Sequence, residues 1–315
     1  MKGLLHLSFL FIISTTVAFS LGQGETARGM TLEDASGFQI VIKSKPQRII
    51  SGAQFVDELL YSIADTKNIL AITPFSTDKD ISNIADWACS QKHRLSFNVK
   101  SYIDLKPDLI ILAEWSDFSK VQELRDAGIP VYQVNFPTTL EKVQSLILTM
   151  GIMLREEEKA TGLLTWMDNR LEPLMDKVAS IKPADRLTVL DYNPGFGTAF
   201  GKNSIWNEIV TLAGLKNIAA DYEEDDYGTL SLSRDLIIKL NPDIIVLPGW
   251  VYDDPKGPEK IHQRFMADQA FKNLKAVKNN RVYQIPEKYR HGGSHFFVKA
   301  VEIMAALAYP DLFIQ

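Results

Sequence analysis

The sequence predicts an α/β protein of two doubly wound lobes joined by a single long helix. Three observations carry this. Short apolar, β-branched runs alternate with helical patterns along the chain, the mark of parallel βα units. The phrase Leu-Lys/Asn-Pro-Asp occurs twice, at 105–108 and 240–243, each time followed by an apolar run. A long stretch of helical spacing lies between the two halves.

The elements follow in order. Residues 1–20 begin Met1-Lys2, run apolar from Leu4 to Phe19 and end in the small-x-small group Ala18-Phe19-Ser20, which reads as an export signal rather than part of the fold. The apolar run is short against the roughly 20 residues a membrane-spanning helix needs. The first lobe is expected over 21–138. Its strands are read at 48–50, 69–72, 109–112 and 130–134, with helices at 56–63 and 121–127, the latter stopped by Gly128. Residues 139–182 link the lobes: 140–154 is apolar at helical spacing, and 156–180 continues as the long helix with Glu156, Glu157 and Glu158 at its start. The second lobe is expected over 183–293, with strands at 187–190, 244–247 and 281–285. A helix at 205–213 has Asn203 or Ser204 as N-cap and Gly214 at its end. Another opens at Ser233-Arg234-Asp235. Residues 294–315 hold the last helix, with Phe297, Val301, Met304 and Leu307 on one face.

The repeated phrase has a physical basis. Proline lacks the amide donor and clashes with the turn before it, so it stops a helix. The continuous apolar run that follows is the pattern of a strand buried on both faces in a parallel sheet. Two copies in corresponding places point to two related lobes.

Composition narrows the function. A net charge of −5 with no basic block makes nucleic acid an unexpected partner. The only cysteine is Cys89, so an internal disulfide framework is excluded and no cysteine is available for lipid attachment at a cleavage site near residue 20. Gly-x-Ser-x-Gly, a phosphate loop, GxGxxG and His-Glu-x-x-His are all missing, which weighs against an enzyme. Asp57-Glu58 and the run from Glu223 to Asp226 are carboxylate neighbours, but sequence neighbours usually point apart. His93, His262, His291 and His295 show no tight ligand spacing, so no bare metal site and no cofactor are expected.

In open α/β sheets ligands bind beyond the carboxyl ends of the strands. That rule selects the loops holding Gln54, Phe75, Glu114 and Trp115 in the first half. In the second it selects Tyr192, Phe196, Trp250, Tyr252, Tyr289, Arg290 and His291, and Tyr227 is added as a candidate. Phe75, Trp115, Tyr192, Trp250, Tyr252 and Tyr289 make these loops aromatic-rich, which favours a broad planar or aryl-bearing ligand. An aromatic in a loop can equally be a lid on the core.

The chain resembles the periplasmic substrate-binding proteins of ABC importers for vitamin B12, iron-siderophores and haem. The resemblance rests on residues 46–51, 105–110 and 127–131 in the first half. In the second it rests on Gly201-Lys202-Asn203-Ser204-Ile205-Trp206-Asn207-Glu208, Ala213-Gly214-Leu215-Lys216-Asn217-Ile218 and the ending Ala308-Tyr309-Pro310. It implies two α/β lobes bridged by one long helix, with a ligand cleft between them. The protein would be a periplasmic monomer without a lipid anchor. It would hand its small-molecule ligand to an inner-membrane permease and its ATPase.

The resemblance also implies residue roles. Phe75 matches a ligand-contacting aromatic, Arg94 falls where the B12-binding members place a cleft tryptophan, Tyr192 matches a cleft aromatic, and 289–291 falls on a cleft loop. Arg94 and Arg290 are expected to face anionic groups of an iron chelate or haem propionates, with solvated surface charge as the alternative. Tyr289 or His291 is able to ligate haem iron, with a hydrogen-bonding or surface role for His291 as the other reading. Permease docking in the family uses one acid per lobe. The second-lobe position is Asp235, but the first-lobe position is Lys100, with Asp104 or Glu58 as substitutes.

Overall fold

The computed structural model describes residues 29–313, so the expected export signal at 1–20 lies outside the described residues. A hairpin opens the chain, β1 (Met30–Glu33) antiparallel to β2 (Gln39–Ile42). The first lobe then runs β3 (Ile49–Ser51), α1 (Gln54–Ile63), β4 (Ile69–Ala71), α2 (Ala85–Ser90), α3 (Val99–Asp104), β5 (Leu109–Ala113), α4 (Phe118–Asp126) and β6 (Val131–Val134). Two helices follow, α5 (Leu140–Leu154) and α6 (Glu157–Ala179). Arg155, with φ 52°, ends α5 in the left-handed region, and α6 then packs back along α5. Gly151 and Ala160 meet so closely there that a Cβ on Gly151 would lie 2.4 Å from that of Ala160.

The second lobe runs β7 (Thr188–Asp191), β8 (Thr198–Phe200), α7 (Ile205–Leu212), β9 (Lys216–Asn217), β10 (Thr229–Ser231), α8 (Arg234–Leu240), β11 (Ile244–Pro248), α9 (Gly257–Ala267), α10 (Lys275–Lys278), β12 (Val282–Ile285) and α11 (Glu287–Arg290). It is followed by α12 (Phe297–Ala308) and α13 (Pro310–Phe313). Ser204 is the N-cap of α7, its Oγ accepting from Asn207 N, and Gly214 beyond its end takes φ 79°.

Each lobe is a four-stranded parallel sheet, ordered β4-β3-β5-β6 in the first and β9-β7-β11-β12 in the second. In both, the first two strands of the lobe run one way across the sheet and the next two the other. The chain therefore reverses between β3 and β5 and again between β7 and β11, the switch points where ligands collect. The second lobe adds an antiparallel ribbon of β8 and β10 that the first lacks.

The repeated phrase forms the same clasp in both lobes. Lys106 and Asn241 sit at φ 50° and 47°, turning the chain out of α3 and α8. The aspartate after each proline then ties β5 or β11 to the neighbouring strand. Asp108 accepts from Gln47 N and Arg48 N at 2.8 and 2.9 Å, and Asp243 accepts from Thr188 N and Oγ1 at 2.9 and 2.7 Å.

One apolar cluster runs through both lobes. It takes Ile49, Leu59 and Leu109 from the first, Met150, Met167 and Leu171 from α5 and α6, Val189, Trp206 and Ile244 from the second, and Phe297, Val301 and Met304 from α12. Burying a side chain of this size contributes about 1.5–3 kcal/mol, so the helices serve as a common floor rather than a tether.

Candidate functional site

Two cavities lie between the lobes, each walled by residues of both. The larger, about 530 Å³, is bounded by the turn after β4 and the loop after β11: Phe75, Asp78, Asp80 and Ile81 on one side, Trp250, Tyr252, Asp253 and Asp254 on the other. Its loops are set from below. Asp57 on α1 accepts at Oδ2 from Thr73 N (3.0 Å), Thr73 Oγ1 (2.9 Å) and Ser76 Oγ (2.6 Å), fixing the turn that presents Phe75. Burial pushes the Asp57 carboxyl up to about 7, although the hydrogen bonds from Ser76 and Thr73 pull the other way. Gly249 lets the loop after β11 pass against β12: a Cβ there would lie 2.0 Å from Ile285 O.

The lobes touch at this end. Trp250 Nε1 donates to Asp78 Oδ2 at 2.8 Å, Lys288 N donates to Asp80 O at 3.0 Å, and Lys288 Nζ donates to Lys79 O at 2.5 Å. Trp250 and Tyr252 lie edge to face, 6.0 Å apart.

The second cavity, about 240 Å³, is bounded by Trp115, Phe136 and Thr138 of the first half and by Phe200, Trp206, Tyr227 and His291 of the second. Phe55, Trp115 and Phe136 form an aromatic triangle with centroids 5.3–6.1 Å apart, and Glu114 steadies it by accepting from Phe136 N at 2.9 Å. The His291 ring stands edge to face on Phe200 at 4.4 Å. Its Nδ1 lies 2.5 Å from Glu287 Oε1, while its Nε2 is buried without a partner among the described residues, as is Trp206 Nε1. Burial alone would raise Glu287, but His291 and Arg290 outweigh it and hold that carboxyl at about 2.

Six expected residues are brought to cavity walls: Phe75, Trp250 and Tyr252 in the larger, Trp115, Tyr227 and His291 in the smaller. The others are not. Gln54 is half-buried in the first turn of α1, beside the Glu58 carboxyl. Phe196 is 82% exposed and outside both cavities. Tyr289 packs against the main core.

Three expected ligand contacts lie away from the cavity walls, and for Arg94 this is the surface placement held as the alternative. Tyr192 is buried in the second lobe's own core, against Phe265. Arg290 faces no anionic ligand group: it is buried, and its guanidinium is spent on Asp191 (Nε to Oδ2 and Nη2 to Oδ1, both 2.7 Å) and on Glu287 Oε2 (2.6 Å). Those carboxylates hold it protonated well above its ordinary range. Arg94 is exposed, but its Nη1 donates to Cys89 O and Gln91 O, fastening it to the end of α2 and outside both cavities.

Glu58 is not a surface acid either. It is buried, accepts from Asn83 N at 2.7 Å and bonds Ser294 Oγ. On the outer faces, Lys100 pairs with Asp104 at 2.7 Å, and Asp235 is exposed in the first turn of α8.

Sequence reasoning missed Phe136, Phe200, Asp78, Asp80, Asp253 and Asp254. Phe136 and the pair Asp253-Asp254 follow β6 and β11 and obey the same carboxyl-end rule. Phe200 sits on the unforeseen ribbon and carried no such mark.

These two lobes, with a cleft at paired switch points, define a solute-binding protein. The chain belongs to the periplasmic binding protein family, whose model matches residues 49–289. It is 28% identical over 295 residues to YvrC of Bacillus subtilis, an uncharacterised ABC transporter substrate-binding lipoprotein; the match covers 90% of this chain and 87% of that one. It is 26% identical over 217 residues to a cobalamin-binding protein of Halobacterium salinarum, covering 69% of this chain and 58% of the relative. The solved structure of the periplasmic haem-binding protein RhuT from Roseiflexus, in apo form, superposes with a TM-score of 0.71 at 16% identity, over 84% of this chain and 99% of that one. These relatives are transport-associated or ligand-binding proteins by name. Among the described residues no helix is long and apolar enough to cross a membrane.

Proposed function

We propose that this protein captures a bulky metal chelate, a corrinoid, haem or iron-siderophore, and delivers it to an ABC permease and its ATPase. The observation that carries the reading is the cleft itself. Exposed aromatics of the first lobe, Phe75 and Trp115, oppose Trp250, Tyr252 and Tyr227 of the second across two cavities. Aromatic faces give large rigid contact at small entropic cost, which suits a broad ligand. The cobalamin-binding and substrate-binding relatives support the same class.

Tryptophan fluorescence tests it. Trp115 and Trp250 line the cleft, so the right chelate quenches emission at one-to-one stoichiometry. No response to ferric siderophores, aquacobalamin and haemin alike would sink the reading. Docking would use Asp235 on one lobe and the surface around Lys100 and Asp104 on the other, and a ligand-dependent pull-down of the permease tests that.

Export to the periplasm without a lipid anchor belongs to the same proposal. The Bacillus relative is named a lipoprotein, so the intact mass of protein from its own host decides the point: acyl chains on it would overturn the unanchored form.

A further inference from the structure

The smaller cavity between the lobes is walled by two residues whose buried nitrogens no protein group serves. Trp206, on α7, is fully buried, and its Nε1–H has no partner among the described residues. His291, just past α11, has the same unmet demand at Nε2. Most of the remaining wall is apolar, set by Trp115, Phe136, Phe200 and Ile205. Two hydroxyls of that wall are already engaged. Ser204 Oγ donates to Gly201 O at 2.7 Å and accepts from Asn207 N at 3.2 Å. Thr138 Oγ1 accepts from Lys142 Nζ at 3.0 Å. Buried polar groups are nearly always paired, so two unpaired nitrogens at one cavity call for an explanation.

The two nitrogens differ in kind. An indole N–H only donates. The imidazole is set by its neighbour: Glu287, ionised and bonded also by Arg290 Nη1, lies 2.5 Å from His291 Nδ1. In the neutral ring the proton therefore sits on Nδ1, and Nε2 presents a lone pair. Phe200 braces the ring edge to face at 4.4 Å. A fixed donor and an oriented acceptor at the same cavity suit a group that both accepts and donates. A carboxamide does both on one planar unit. An ester or a carboxylate offers acceptors alone, and a hydrocarbon arm offers neither. The cavity holds about 240 Å³, below the roughly 300–1,000 Å³ of a pocket for a whole ligand. It is the size for a side arm.

We propose that the smaller cavity is a subsite for a carboxamide arm of the metal chelate, Trp206 donating to its carbonyl and His291 accepting from its N–H. This rests on the function proposed above and narrows it to amide-bearing chelates over haem, whose arms are carboxylates. Trp206 and His291 are the specificity residues.

Two neutral corrinoids test it at pH 8, where an imidazole is ordinarily unprotonated. Dicyanocobinamide has side arms ending in carboxamides. Dicyanocobyrinic acid heptamethyl ester has arms that accept but cannot donate. Fluorescence titration gives the Kd of each for wild type, Trp206→Phe and His291→Phe. Wild type should bind the amide about three- to tenfold more tightly than the ester, the size of one hydrogen bond. His291→Phe keeps a ring against Phe200 and should close that gap by weakening the amide alone. Trp206→Phe should weaken both probes by a similar factor and leave the gap. A purely structural defect would move both probes together in both variants, and urea unfolding reports stability separately. Equal wild-type affinities overturn the amide subsite whether or not the variants fold. A gap that survives His291→Phe, or a Trp206→Phe that weakens neither probe, overturns it too. So does wild type that binds haemin or a ferric siderophore but neither corrinoid, an outcome that leaves the transport reading intact. Failure of all of these to bind overturns both.

Discussion

Asp57→Asn should remove a slope from the pH dependence of stability. Asp57 is fully buried on α1; three donors serve Oδ2, while Oδ1 has no partner among the described residues. Burial carries the carboxyl from 3.8 to about 7. Below about pH 4 it is protonated in both folded and unfolded states and costs nothing. Between about pH 4 and 7 the unfolded chain releases the proton and the folded chain keeps it, so stability falls as pH rises, levelling off above 7. A change of roughly three pK units corresponds to about 4 kcal/mol across that window. Asparagine keeps the acceptor for Thr73 and Ser76 and carries no proton to lose. Urea unfolding at half-unit steps from pH 4.5 to 8.5 gives both curves. The wild-type minus variant difference should change by several kcal/mol in the direction that favours the variant at high pH. Parallel curves would refute a raised carboxyl at Asp57. A variant that loses ligand binding at constant stability would show that the turn holding Phe75 needs the charge.

His295 works in the opposite sense: burial, with Lys299 adding to it, pushes its imidazole down to about 3. Its contribution is present above pH 6.5 and lost as pH falls toward 3, so His295→Leu should move the acid-unfolding midpoint lower, as far-UV dichroism would report. Arg290→Met strands Asp191 as a buried unpaired charge and leaves Glu287 only His291, and should cost about 3–5 kcal/mol in urea unfolding; Arg290→Lys should recover little, because one ammonium does not replace the bidentate fork. Lys106→Gly relieves a non-glycine residue at φ 50° and should stabilise by about 0.5–1 kcal/mol, seen as a higher Tm. Trp250→Phe removes the bond to Asp78 between the lobes, which is partly solvated, and should cost about 1 kcal/mol.

What the sequence revealed and what it hid follow from the range of the interactions. Strands β5 and β11 are continuous apolar runs bounded by Pro-Asp, so local composition places them within a residue. The clasp is legible for the same reason: a helix, its breaker and the strand after it are neighbours in sequence. Tyr192 was misplaced because residues following a strand alternate sides, and the loop rule says where the backbone goes but not which way the ring turns. Arg290 was misplaced because Asp191, which holds it, is 99 residues away, and nothing near Arg290 announces that partner. The β8–β10 ribbon has only three residues per strand, too few for a period to appear.

The common apolar floor beneath both lobes also limits what ligand can do to shape. Swinging one lobe away from the other would shear Met150, Met167 and Leu171 past Val189, Trp206 and Phe297, surfaces that are wholly or almost wholly buried. Protein interiors packed at crystal-like density resist such sliding. Bound and free protein should therefore scatter X-rays with nearly the same radius of gyration. A permease would then distinguish a loaded from an empty carrier at the rim, by whether Tyr252, Tyr227 and Trp115 are clamped on cargo or still sampling water.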